Sequence, residues 1–242
     1  MSDKINDARR EYLKAALNAG LWTLAGSSGL IAPLVHAFGN VPKQLANGKS
    51  IYELRGNVLV DDKPATESTI ITANSNVVTE SNSHIIFVVG KDAHILRSNS
   101  RMDLGGSGMA ADFLRLVHGK LLSVFGKRFG SRDLKVRTSV ATIGVRGTGL
   151  YTESTPESSY ICTCYGETEI MSSQDESSKE VIVSKHHDSP RYVLADGKGG
   201  ELIQPAPFID HTDAELMLIE ALVGRTAPFS SVMGYDKPRR GY

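Results

Sequence analysis

From Gly56 onward, short apolar runs break at turn-forming residues about every 8–12 positions, and this ladder restricts the chain to a β architecture. Gly56-Asn57-Val58-Leu59-Val60 ends at Asp61-Asp62-Lys63-Pro64, and Thr69-Ile70-Ile71 ends at Asn74-Ser75-Asn76. Val77-Val78-Thr79 leads to Ser81-Asn82-Ser83, His84–Val89 to Gly90-Lys91-Asp92, and Ala93–Leu96 to Ser98-Asn99-Ser100. Such runs have strand length and are too short for helices. Phe113–Val117 and Lys120–Phe125 read as two further strands across a tight turn at His118-Gly119. An all-β sandwich, barrel or solenoid fits, and no exact repeat sets a period.

One helix is expected, near the C-terminus. Thr212-Asp213-Ala214-Glu215 has the form of a capping box, with Thr212 as N-cap. Leu216, Ile219 and Val223 follow on one face, Leu218 pairs with Leu222, and Gly224 is a natural stop, giving a helix over about 212–224. The Leu104–Gly108 stretch is Gly-rich but lacks the Lys-Ser/Thr ending of a phosphate-binding loop, so it reads as a flexible turn. The tail 235–242 reads as loosely ordered.

The N-terminus reads as an address. Lys4, Arg9, Arg10 and Lys14 precede 21 uncharged positions, Ala15–Val35, with three glycines and Pro33 among them. The run is long enough to span a bilayer but only moderately apolar. Val35-His36-Ala37 offers small residues for cleavage after Ala37. Arg9-Arg10-Glu11-Tyr12-Leu13-Lys14 resembles the twin-arginine export motif, with Tyr12 at its aromatic position. That resemblance implies a passenger that folds before export, often with a cofactor inserted beforehand, and a periplasmic or secreted location. The alternative is an inner-membrane anchor formed by the uncleaved segment. The chain carries 27 basic and 27 acidic residues. Setting aside the four basic and three acidic residues of the first 37 leaves 23 and 24, a charge of −1. A near-neutral passenger argues against nucleic acid as a partner, and against membrane contact beyond the transient one of the signal segment.

A specific resemblance lies in the middle. Thr138, Ala141, Gly144, Val145, Arg146, Gly147 and Thr148 follow the pattern Thr-x-x-Ala-x-x-Gly-Val-Arg-Gly-Thr. This resembles the signature of FecR-type periplasmic domains. The upstream order Gly56-x-Val58, Pro64-Ala65-Thr66, Ile70, Val78-Thr79 and Ser83 agrees, and Gly166–Ile170 matches the closing strand. Asn74 stands where that family usually has Gly. The resemblance covers about 50–172 and implies a mainly β, sandwich- or solenoid-like FecR domain with one C-terminal α-helix. The expected organisation is a signal peptide over 1–37, a linker over 38–49, the β domain over 50–172, and an extension over 173–242 with a hairpin strand, a loop and the helix. It implies a non-catalytic binding, signalling or scaffolding module that contacts a protein of the cell envelope or a small ligand. About 14 residues precede the apolar run, too few for the cytoplasmic anti-sigma segment of the signalling members, so the resemblance leaves direct sigma-factor control open. Arg146 offers five donors, either to brace a β turn or to meet an anionic ligand.

Cys162 and Cys164 point to one face of a strand, Ser159–Tyr165. Extended i, i+2 cysteines lie too far apart for good disulfide geometry. Glu180–Lys185 reads as the returning strand of a hairpin and brings His186 and His187 near the cysteines. Two thiolates and one or two imidazoles suit a thiophilic metal such as Zn, which leaves a metal- or redox-binding protein as the alternative function. Buried free thiols beside a surface His-His turn are the other reading. His84, His94, His118 and His211 have no ligand spacing and read as ordinary strand or turn residues. The chain contains no Gly-x-Ser-x-Gly, no His-Glu-x-x-His and no nucleotide-binding loop. Asp133, Glu167 and Glu169 are carboxylates that nothing pairs by spacing, so no catalytic residue is expected.

Overall fold

The structure is a computed structural model that describes residues 44–106, 111–128, 134–197 and 201–231. The expected signal peptide with Arg9, Arg10, Tyr12, Leu13, Lys14 and Ala37, most of the linker, the end of the Gly-rich turn, Asp133 and the tail lie outside these residues.

The fold is mainly β with one C-terminal helix. Among the described residues fourteen strands join in one open hydrogen-bonded sheet. They are β1 (Ile51–Arg55), β2 (Val58–Val60), β3 (Lys63–Pro64), β4 (Asn76–Thr79), β5 (His84–Val89), β6 (Asp92–Leu96), β7 (Ser100–Gly105), β8 (Phe113–Val124), β9 (Leu134–Arg137), β10 (Ala141–Ser154), β11 (Ser158–Ser172), β12 (Lys179–Ser184), β13 (Arg191–Leu194) and β14 (Ile203–Pro205). The helix α1 (Asp213–Leu222) and a 3-10 turn, Pro228–Ser231, follow. Among the described residues no helix is long and apolar enough to cross a membrane.

Three long strands change partners along their length. The first part of β8 pairs with β7 and β9, and its last part with β6 and β10. The start of β10 pairs with β9, and its end with β8. In β11, Ser158–Ile161 pair with β13 and Gly166–Met171 with β12. Strands β12 to β14 of the expected extension therefore continue the same sheet.

The ladder places most strands correctly, with two corrections. Residues 113–124 are one strand rather than a hairpin. Gly119 does not reverse the chain; at φ +95° it sits beside a register shift, where His118 opposes Arg101 and Leu116 opposes Met102. A Cβ there would stand 2.6 Å from the Ser100 Cα, so only glycine lets the two strands approach. Thr69-Ile70-Ile71 is not a strand. The Thr69 hydroxyl accepts the Thr66 amide, and the Ser75 hydroxyl accepts the Thr72 amide, so side chains take over the local backbone bonding. The Asp61-Asp62 turn closes β2 on β3 with both residues at positive φ, the geometry of a two-residue hairpin loop.

Strand alternation sends neighbours to two different cores. Phe87, Leu96, Leu121, Leu150 and Ile161 enter the first; Ile86, Ile95, Leu122, Tyr151 and Cys162 enter the second. The second core is completed by Leu216, Ile219 and Leu222 of α1 and by Phe229. The helix lies against β6 and β8. The expected cap is present: Thr212 accepts the Glu215 amide, and Glu215 in turn accepts the Thr212 amide at 2.9 Å. Gly224 follows the helix at φ +71°.

Candidate functional site

The FecR-like signature builds backbone geometry. Thr138 follows β9 directly, and its hydroxyl accepts the Ala141 amide at 3.0 Å, starting β10. Ser159 donates to the same hydroxyl at 2.7 Å. Gly144 and Val145 continue β10, and Gly147 at φ +59° opens the irregular register between Arg146 and Gly149. The Thr148 hydroxyl donates to the Glu167 carbonyl at 3.0 Å, pinning the distortion to β11. Arg146 forms a 3.1 Å ion pair with Glu167 across the two strands. More than half of the Arg146 side chain is exposed. A surface pair of this kind contributes about 0–1 kcal/mol, so it orients two side chains more than it stabilises the sheet. Glu169 lies on the same face of β11 as Glu167.

Below the second half of β10, four metal-ligating side chains converge: Cys162, Cys164, His187 and His211. Their ligand atoms all lie within 4.8 Å of one another. Cys162 and Cys164 project from one face of β11, as alternation requires, and both are fully buried free thiols. β12 ends at Ser184, and the chain turns tightly. Asp188 accepts the Lys185 amide at 2.7 Å, and His187 takes φ +53°. The His187 amide donates to the Cys164 carbonyl at 2.9 Å, anchoring the turn on β11. A non-glycine residue rarely adopts that φ; here it turns the imidazole inward.

The contacts form a chain. Cys162 Sγ is 3.5 Å from His187 Nδ1, which is 3.0 Å from His211 Nε2. His211 Nε2 is in turn 3.4 Å from Cys164 Sγ. The outer ring nitrogens are also held: His187 Nε2 lies 3.0 Å from Asp213 Oδ1, and His211 Nδ1 lies 2.7 Å from the Ile209 carbonyl. A carbonyl only accepts, so His211 carries its proton on Nδ1 and turns a lone pair inward. The Tyr151 ring stacks on His211 with centroids 4.5 Å apart, and Phe208 covers both imidazoles.

The electrostatics follow from these contacts. Hydrogen bonding by Cys164, then the His187 and His211 imidazoles, outweighs burial and holds the Cys162 thiol well below its usual range. Burial first, and the neighbouring sulfur second, push the Cys164 thiol up. For His187, burial disfavours the imidazolium, but Asp213 and Cys162 overcome it and raise the group to about 9.

The structure thus brings Cys162, Cys164 and His187 together, with His211 rather than His186 as the fourth side chain of that cluster. His186 points instead to Asp213, at 2.8 Å, and packs on Phe229. His211, expected to be ordinary, takes the place beside the cysteines. The only local hint was its position just ahead of the capping box, where the chain must turn onto the sheet. The other histidines differ from one another: His84 meets Glu53 at 2.7 Å, and His94 is buried against Ser123.

No family model and no curated protein matches this chain. Among solved structures, two crystal structures of a candidate anti-sigma factor from Parabacteroides distasonis are similar to it, each at 14% identity with a TM-score of 0.44. Each match covers 54% of this chain and 58% of that protein, so it spans less than two thirds of that protein's length.

Proposed function

We propose that the chain is an exported, non-catalytic FecR-type module that works by contact with a protein of the cell envelope. The carrying observation is the edge of the sheet at β12. Among the described residues β12 pairs only with β11, and its outward side chains Val181 and Val183 are 58% and 71% exposed. They stand in register with Glu169 and Glu167, beside Arg146 of the signature. Natural sheets shield such edges with charge or proline, and an apolar edge left open accepts an added strand. The occupant that fits is an extended segment of a partner protein. It would pair antiparallel with β12, set apolar side chains on Val181 and Val183, and bring a basic residue toward the two glutamates.

Catalysis is the weaker reading. Cys162, His187 and Asp213 line up as a nucleophile, a base and an orienting carboxylate would. The sulfur is fully buried, however, and that reading leaves Cys164 and His211 without a part. Export is read from Arg9 and Arg10.

The test is crosslinking in cells of the native chain against Val181→Lys/Val183→Lys, with fractionation of both and of Arg9→Lys/Arg10→Lys. The reading expects a periplasmic partner crosslinked by the native chain, lost in the edge variant, and retention of the twin-lysine variant in the cytoplasm. An edge variant that crosslinks the same partner equally well overturns the contact surface. An unchanged location of the twin-lysine variant overturns the export route.

A further inference from the structure

We propose that Cys162, Cys164, His187 and His211 bind one Zn(II) ion tetrahedrally, and that the ion staples the C-terminal segment to the sheet.

The spacing of the donors carries the inference. With Zn–S about 2.3 Å and Zn–N about 2.0–2.1 Å, a tetrahedron has S···N edges of about 3.6 Å and N···N edges of about 3.3 Å. The cluster has S···N separations of 3.5 and 3.4 Å and an N···N separation of 3.0 Å. All remaining edges are below 4.8 Å. The donors therefore already stand near the corners of the polyhedron that a metal requires.

The outer contacts agree independently. A zinc-bound imidazole donates its other N–H to a carboxylate or carbonyl, which fixes its tautomer and ring angle. His187 has Asp213 for this purpose and His211 has the Ile209 carbonyl. The two rings use opposite nitrogens, Nδ1 and Nε2, toward the centre, and each has a partner on the correct side. His186 lies 2.8 Å from the same Asp213 oxygen.

Charge and burial fit as well. Two thiolates cancel Zn(II), so the loaded site is neutral, and a neutral site is compatible with a core of Tyr151, Tyr160, Leu216 and Ile219. Binding requires both sulfurs as thiolates and the His187 imidazole neutral, so the protons still held on these ligand atoms pass to solvent, and no oxidation state changes. Two sulfurs and two nitrogens in tetrahedral array select zinc over harder ions, and four protein ligands leave no open position for a substrate. The role is structural. The ligands come from β11, from the turn after β12, and from the loop that begins α1, so one ion ties three segments together, with Cys164 and His211 47 residues apart.

The test uses the full chain, without a histidine tag, purified after growth in zinc. Elemental analysis should find one zinc per chain. Replacement by Co(II) should give a thiolate charge-transfer band and the visible bands of a tetrahedral ion. His211→Ala and Cys164→Ser should lose the ion, and His186→Gln should keep it. Asp213→Asn should weaken binding about 10–100-fold against a competing chelator while leaving the stoichiometry at saturation unchanged. The Co(II) spectrum of the native chain does not depend on any variant folding. Absence of stoichiometric metal together with absence of those bands overturns the proposal. So does full retention of zinc in folded His211→Ala, or its loss in folded His186→Gln. These readouts are independent of any partner at β12.

Discussion

Arg97 Nη2 reaches Glu215 Oε1 at 2.9 Å, joining the residue after β6 to the first turn of α1. Both side chains are less than a tenth exposed. Arg97 also donates to the Asp210 carbonyl at 2.8 Å, and Glu215 closes the capping box with its other oxygen. The pair thus holds the helix start on the sheet. Removing one partner of such a pair leaves a buried charge, which costs about 3–5 kcal/mol. Glu215→Ala is therefore expected to lower stability by that amount, and Arg97→Leu/Glu215→Leu to recover a large part of it. Urea unfolding followed by circular dichroism checks both, and equal losses in single and double variants would contradict the account.

Gly119→Ala should destabilise the domain by at least about 1–3 kcal/mol, the range for overpacking, because the new Cβ meets Ser100 backbone at a φ that disfavours side chains. Gly48→Ala is the matched comparison, with positive φ but open space around it. Thermal unfolding of the two should separate crowding from backbone strain.

His94 supplies a pH prediction. It is fully buried with Nδ1 on Ser123, while Nε2 has no hydrogen-bond partner among the described residues. Burial first, and the Arg128 guanidinium second, push it down to about 3. The unfolded chain binds a proton near 6.5 and the folded chain does not. Stability is therefore full above about pH 6.5, falls as pH drops, and levels off below about 3, at up to about 1.4 kcal/mol per pH unit. Burial pushes the Asp92 carboxyl up against the pull of Arg128, so Asp92 also adds to the acid response and the diagnostic is a difference. His94→Gln should flatten the acid slope between pH 6.5 and 4 in denaturant titrations, and an unchanged slope would remove His94 as its source.

Ile219→Ala should cost about 2–5 kcal/mol, since Ile219 is fully buried where α1 meets the sheet. Met217, only partly buried against the same core, should cost less. If the C-terminal segment docks as part of one cooperative unit, chemical denaturation of Ile219→Ala should stay a single transition with a lower midpoint.

The local features were legible because short-range rules govern them. The strand ladder, the Thr212–Glu215 cap and the shared face of Cys162 and Cys164 each depend on residues within a few positions. Their physical causes are strand pleat, orphan amides and helical period. The fold class and much of the sheet followed from these.

Two things required the folded chain. Residues 113–124 read as a hairpin by composition, yet pairing with β7 on one side and β6 on the other keeps them extended through Gly119. His211 reads as a bystander 47 residues from Cys164, yet it closes the thiol–imidazole cluster. No local pattern encodes that meeting. It arises because α1 buries its apolar face on β6 and β8 and carries the preceding loop down onto Tyr151. By itself the sequence determined a β chain with a same-face thiol pair and a capped helix. Nonlocal packing in the second core decided which histidines the thiols meet.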